Sequence, residues 1–143
     1  MTSLTLAQAA TIIDAALKKA RAANMKPIAI SVLDPGGHLV AYQREDTSST
    51  MRFQISSGKA NACLAMGMGG RALLERSGQM PVFMNALQAA SGGRFFPMVG
   101  GVLVRDGAGE IVGAVGVSGD TSDNDEAAAL AGIEAAGLKA DVG

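Results

Sequence analysis

Gly100-Gly101-Val102-Leu103-Val104-Arg105-Asp106-Gly107-Ala108-Gly109-Glu110-Ile111-Val112-Gly113-Ala114-Val115-Gly116-Val117-Ser118-Gly119 decides how this chain reads. Two runs rich in β-branched residues flank a turn of Asp and Gly, which is the pattern of a β-hairpin. The second run is interrupted by glycines at 113, 116 and 119. A glycine inside a strand gives up packing, and it marks a place where another backbone or a ligand comes close. A second hairpin follows the same plan: Ile28-Ala29-Ile30-Ser31-Val32-Leu33, the turn Asp34-Pro35-Gly36-Gly37, and a return strand from His38 to Arg44. The remaining segments read as helix. The expected architecture is a sheet of hairpins covered by helices.

Working outward, Thr5-Leu6-Ala7-Gln8 has capping-box spacing and opens a helix that ends near Ala23, before Pro27. A second helix is expected from about Thr50 to Met66, broken by Gly67-Met68-Gly69-Gly70. Arg71 to Arg76 reads as a short helical turn, and Pro81 opens another helix through Phe83, Met84, Leu87 and Ala90. Phe95 to Met98 reads as a short edge strand or strand start because of Pro97. Asp123 and Glu126 have capping-box spacing for a last helix to Leu138, followed by a loose tail.

The chain has 143 residues, a size that suits one domain spanning 1–143. A net charge of −1, no basic run, no Trp, one Tyr and four Phe argue against a nucleic-acid partner. No apolar run is long enough to span a membrane, and no signal peptide is expected. Cys63 stands alone, which rules out an internal disulfide and a Cys-only metal site; a free thiol fits the cytoplasm. The high aliphatic content and few charges point to an apolar face buried between copies, hence a homo-oligomer.

Several residues carry possible chemistry. His38 is the single histidine. It reads either as a metal ligand, proton relay or carboxylate binder, or as a strand-start ring bonded to its own turn. Lys59 lies one turn before Cys63 on a mostly apolar helix face. It reads as an anion-binding or acid–base lysine, or as one that pairs with an acid such as Asp34 or Glu126. Arg44 and Arg94 are the carboxylate binders by type, each with an ordinary surface role as its alternative. The methionines at 66, 68, 80, 84 and 98 either line a flat apolar ligand or fill the core. Ser56-x-x-Lys59 and Ser122-Asp123-Asn124 match motifs of penicillin-recognising enzymes, but no Lys-Thr-Gly accompanies them and the chain is too short for that fold. The glycines at 113, 116 and 119 lack dinucleotide-fingerprint spacing.

The segment Ser31 to Ala41, the pair Lys59-Ala60, Gly100-Gly101, Ile111 to Gly119, and Asp125-Glu126 together resemble the GlcG/HbpS-like family, which includes the C-terminal domain of PduO proteins. The resemblance covers nearly the whole chain. It implies an α+β, profilin-like fold: a five-stranded antiparallel sheet with helices on both faces. It also implies oligomers from dimers to octamers and, in some members, bound haem. Gly100, Gly101 and Glu126 thereby join Arg44 and Arg94 as ligand-binding candidates, beside His38 and Lys59 as catalytic candidates and His38 as a metal ligand. The chain departs from the family where Asp-Gly-Ala is usual, having Glu45-Asp46-Thr47-Ser48, and where Asn61 replaces the usual Thr. The expected pocket lies between the middle segment and the end of the central hairpin. The expected function is small-molecule binding of the haem type. The alternatives are a lyase, isomerase or hydrolase step on a small carboxylic acid, or an accessory structural subunit.

Overall fold

The computed structural model describes residues 2–143. The elements run α1 (Leu6–Ala22), β1 (Ala29–Leu33), β2 (Leu39–Arg44), α2 (Arg52–Met66), α3 (Gly70–Gln79), α4 (Pro81–Ala90), β3 (Gly101–Arg105), β4 (Ile111–Ser118), α5 (Ser122–Ala135) and β5 (Lys139–Asp141). The five strands form one antiparallel sheet in the order β2-β1-β4-β3-β5. Both expected hairpins are present, and β1 of the first pairs with β4 of the second, Val32 opposite Val115.

Strand alternation sorts the two faces. Ile30, Val32, Val102, Val104, Val115 and Val117 join α1 and α5 in one buried cluster. Leu33, Leu103 and Ala114 point the other way, into a second cluster with Ala60 and Cys63 of α2, Leu73, Met84 and Phe95. Helices therefore cover both faces, as the resemblance implied. The face under α2 is built from small residues. A Cβ on Gly116 would overlap the Ser56 carbonyl oxygen, and one on Gly101 would stand 2.6 Å from the Lys59 carbonyl oxygen. The glycines of the central hairpin thus let a helix backbone rest on the sheet, one of the two roles the sequence offered them.

Three local expectations are corrected. Phe95 to Met98 is not a strand: Phe95 is buried in the second cluster and Phe96 N donates to Gly58 O of α2 at 3.1 Å. The fifth strand comes from the tail, where Lys139–Asp141 pairs with β3 and Arg105 Nε donates to Asp141 Oδ2 at 2.9 Å. The last helix starts earlier than expected, with Thr121 as N-cap; its hydroxyl accepts the Asn124 N–H at 3.2 Å. At the other end of the chain the capping box stands as read, with Gln8 N donating to Thr5 Oγ1 and Thr5 N to Gln8 Oε1.

Candidate functional site

A cavity of about 440 Å³ lies where the β1–β2 turn meets α2 and the segment after α4. Its walls are apolar, formed by Leu33, Leu39 and Phe53, with Ser57 and Asn61 of α2 beside them. His38 and Arg94 supply the titratable and charged groups of the lining. Leu39 and Phe53 are exposed large apolar side chains, and Phe53 is braced edge-on by Tyr42 with ring centroids 4.9 Å apart. This is the composition of a small-molecule pocket: apolar walls with a few polar groups that orient the ligand.

The turn chemistry sets His38. The Asp34 carboxylate accepts N–H bonds from Gly36 and His38, both at 2.9 Å, and Gly37 takes the left-handed φ of +82° that lets the chain reverse. The same carboxylate lies 3.2 Å from His38 Nδ1. Burial pushes the Asp34 pKa up, but the N–H bonds from His38 and Gly36 and the nearby imidazole outweigh it and hold the carboxyl below its ordinary value. With Nδ1 occupied by a carboxylate, Nε2 is the nitrogen left for a ligand. Asn61 stands between the turn and the arginine: a Cβ on Gly37 would come 2.9 Å from its Oδ1, its Nδ2 donates to Arg94 O at 2.7 Å, and Arg94 Nε donates to Ser91 O at 3.2 Å. Asn61 therefore ties α2 to the loop that carries the arginine.

The structure brings His38 and Arg94 to one cavity and places the other candidates elsewhere. Lys59 is 3% exposed; its amine donates to Val117 O at 2.9 Å and to Asp125 Oδ2 at 3.3 Å. Burial lowers the Lys59 pKa against the pull of Asp125, and burial raises the Asp125 pKa against the pull of Lys59. The partner is Asp125, where the sequence reading named Asp34 or Glu126. Gly100, at φ +109°, leaves the space in which the amine sits: a Cβ there would come 2.7 Å from Lys59 Nζ. Gly101 lies beneath α2, and Glu126 accepts from Arg71 Nη2 at 2.8 Å. Arg44 ends β2, exposed and outside the cavity lining. Cys63 is fully buried and its thiol is pushed up to about 12, mainly by burial and then by Asp141. None of the five methionines lines the cavity; Met84 packs in the second core cluster and Met66 and Met68 pack against it.

The pocket therefore sits at the turn end of the first hairpin, and the central hairpin takes no part in it. Sequence reasoning missed Leu39, Phe53, Ser57 and Asn61. No sequence signal marked Leu39, which stands in the apolar run Leu39-Val40-Ala41, or Phe53, which reads as the apolar side of α2. Among the described residues no group of three or more His, Cys, Asp or Glu could hold a metal ion, and no helix is long and apolar enough to cross a membrane.

A helix-covered antiparallel sheet with an apolar cavity at one hairpin end, lined by an imidazole beside a carboxylate and by a guanidinium, defines a class of α+β domain with a pocket of small-molecule size. Residues 4–134 match the family model described as haem degrading protein HbpS-like, and the chain belongs to that family. It is 32% identical over 123 residues to an uncharacterised 15.0 kDa protein from the dhaT–dhaS intergenic region of Citrobacter freundii, covering 86% of this chain and 84% of that one. The solved PduOC–heme complex superposes with a TM-score of 0.85 at 20% identity, covering 96% of this chain and 98% of that one. The ORFY protein of Klebsiella pneumoniae superposes with a TM-score of 0.80 at 26% identity, covering 96% and 92%.

Proposed function

We propose that this protein binds a flat, largely apolar, acid-bearing ligand of the haem type in the cavity between the Asp34–His38 turn, α2 and Arg94. The observation that carries the reading is the pairing of one imidazole, its Nδ1 beside Asp34, with apolar walls and a single guanidinium in a cavity of about 440 Å³. The residues present fit the group: His38 Nε2 would hold the iron, Leu33, Leu39 and Phe53 the macrocycle, and Arg94 an acidic substituent. Bound haem would supply a redox-active, Lewis-acidic iron. The chain's own part is to orient His38 through Asp34, to exclude water with the apolar walls and to neutralise a carboxylate with Arg94. The family description and the heme complex of a structural relative support this choice over other flat ligands.

The same imidazole–carboxylate pair facing a guanidinium also suits acid–base chemistry on a small carboxylic acid, which is the second reading. Haemin titration followed in the Soret region separates the two. Saturable binding, weakened about tenfold in Arg94→Ala, supports the first. No saturable change, together with displacement of an apolar dye from the cavity by small carboxylates, overturns it in favour of the second.

We further infer a homo-oligomer in the cytoplasm. Met80, Val82 and Phe83 at the start of α4 are exposed, Val82 by 82%, and such a face is stable in water when a second copy covers it. Val82→Glu is expected to lower the sedimenting mass; a variant that sediments like the parent contradicts the assignment.

A further inference from the structure

A second cleft lies on the other side of the first turn of α2, between the loop that follows β2 and the ends of β1 and β4. Lys26, Thr47, Ser48, Ser49 and Arg52 line it, with Pro27 and Gly119 behind. Its volume is about 180 Å³, too small for a haem-type ligand and enough for a compact polar group.

The cleft is cationic, and only part of that charge is met: Lys26 helps hold the nearby Asp120 carboxyl below its ordinary value. Arg52 is half-buried and is anchored by one bond, from Nη1 to the buried Ser118 Oγ at 2.7 Å. Among the described residues neither Arg52 nor Lys26 reaches a carboxylate within ion-pair distance. Of the flanking acids, Glu45 is engaged away from the cleft and Asp120 is held at its edge by backbone N–H groups. Glu45 pairs with Arg21 at 2.8 Å and accepts the Ile28 N–H, while Asp120 accepts the N–H groups of Lys26 and Thr121. Asp46 does not line the cleft.

The hydroxyls divide the same way. Thr47 and Ser48 donate to backbone carbonyls of their own loop, at 2.6 and 2.8 Å, which leaves Ser49 with no bond made. The cleft therefore offers a guanidinium fork, an ammonium and a hydroxyl, and it opens beside the first N–H groups of α2, which no side chain caps. The Arg52 charge also adds, as the smallest of several effects, to the lowering of the buried Lys59 pKa.

We propose that this cleft binds a phosphoryl group, free or at the end of a small molecule, with Arg52 as the fork and Lys26 as the second cation. A doubly charged, tetrahedral oxyanion matches two cations and several converging donors better than a carboxylate does. This site is separate from the haem-type cavity, since Arg52 and Lys26 line only the second cleft and His38 and Arg94 only the first.

The test is amide chemical-shift titration of the full chain with inorganic phosphate, and then with glycerol phosphate, at constant ionic strength kept with chloride. Saturable shifts at the amides of residues 47–54 are expected. Arg52→Gln should weaken binding about tenfold or more, and Lys26→Gln by a smaller factor. Tighter binding of the monoester identifies the phosphoryl end of a larger molecule; equal or weaker binding identifies free phosphate. Shifts that do not saturate, Lys26→Gln and Arg52→Gln variants that bind like the parent, or loss of binding in Arg94→Ala overturn the proposal. If Arg52→Gln does not fold, Lys26→Gln and Ser49→Ala carry the test, because both residues are exposed.

Discussion

Asp34 gathers three donors in one turn: the N–H groups of Gly36 and His38 and the His38 ring. They hold its carboxyl below the ordinary carboxylate range. A depressed acid adds stability that is fully present above its unfolded pKa of about 3.9 and is lost as pH falls through the folded value. Asp120, lowered by the Thr121 and Lys26 N–H groups against the opposing effect of burial, adds a parallel slope. Asp34→Asn should therefore flatten part of the acid limb of a denaturation series below about pH 4 while leaving the Asp120 part. An acid limb identical to the parent's would contradict the turn geometry. Residue by residue, the type of a side chain was legible and its partner was not. Lys59 was visible as a lysine on an apolar helix face, yet it meets Asp125 and not Glu126. One residue along a helix is a rotation of about 100°, which turns Asp125 toward Lys59 and Glu126 toward Arg71.

Two elements on opposite faces of the sheet are joined by that ion pair, since Lys59 belongs to α2 and Asp125 to α5. Burial pushes each group toward its neutral form, so the pair adds little net stability although losing one partner is costly. Lys59→Met alone leaves Asp125 buried without its partner and should cost about 3–5 kcal/mol. Adding Asp125→Asn, which keeps an acceptor for the Asp120 N–H, should recover much of that loss. Chemical denaturation of both variants measures it; a double variant no more stable than the single one would contradict this account. At the scale of elements the two hairpins were legible because β-branched runs and Asp-Gly turns are local signals. The strand β5 was not, because Lys139-Ala140-Asp141 has no β-branched residue and is placed by the open edge of β3 and the Arg105–Asp141 bond. Phe95 to Met98 misled for the complementary reason: its apolar residues are held by a helix face, with Phe96 N bonded to Gly58 O.

In the whole molecule, the cavity is assembled from the end of β1, the segment Gly37–Leu39, one side of α2 from Phe53 to Asn61 and the loop after α4, which lie far apart in the chain. The two lining residues that carry charge or titrate, His38 and Arg94, could be chosen from the sequence by residue type. The walls could not, because Leu39, Phe53 and Asn61 become a lining only when α2 settles on the glycine-bearing face of the sheet. The cavity keeps the middle segment that the sequence suggested but has the first hairpin in place of the central one, since Gly100 and Gly101 are taken up by the approach of Lys59 and α2. The account's central claim is that the imidazole beside Asp34 reaches a ligand held by those walls. The most direct test is the Soret spectrum of haemin bound to the parent and to His38→Ala. The account predicts that the variant still binds haemin, more weakly, and that its band moves back toward that of free haemin; the same band position and affinity in both proteins would contradict it.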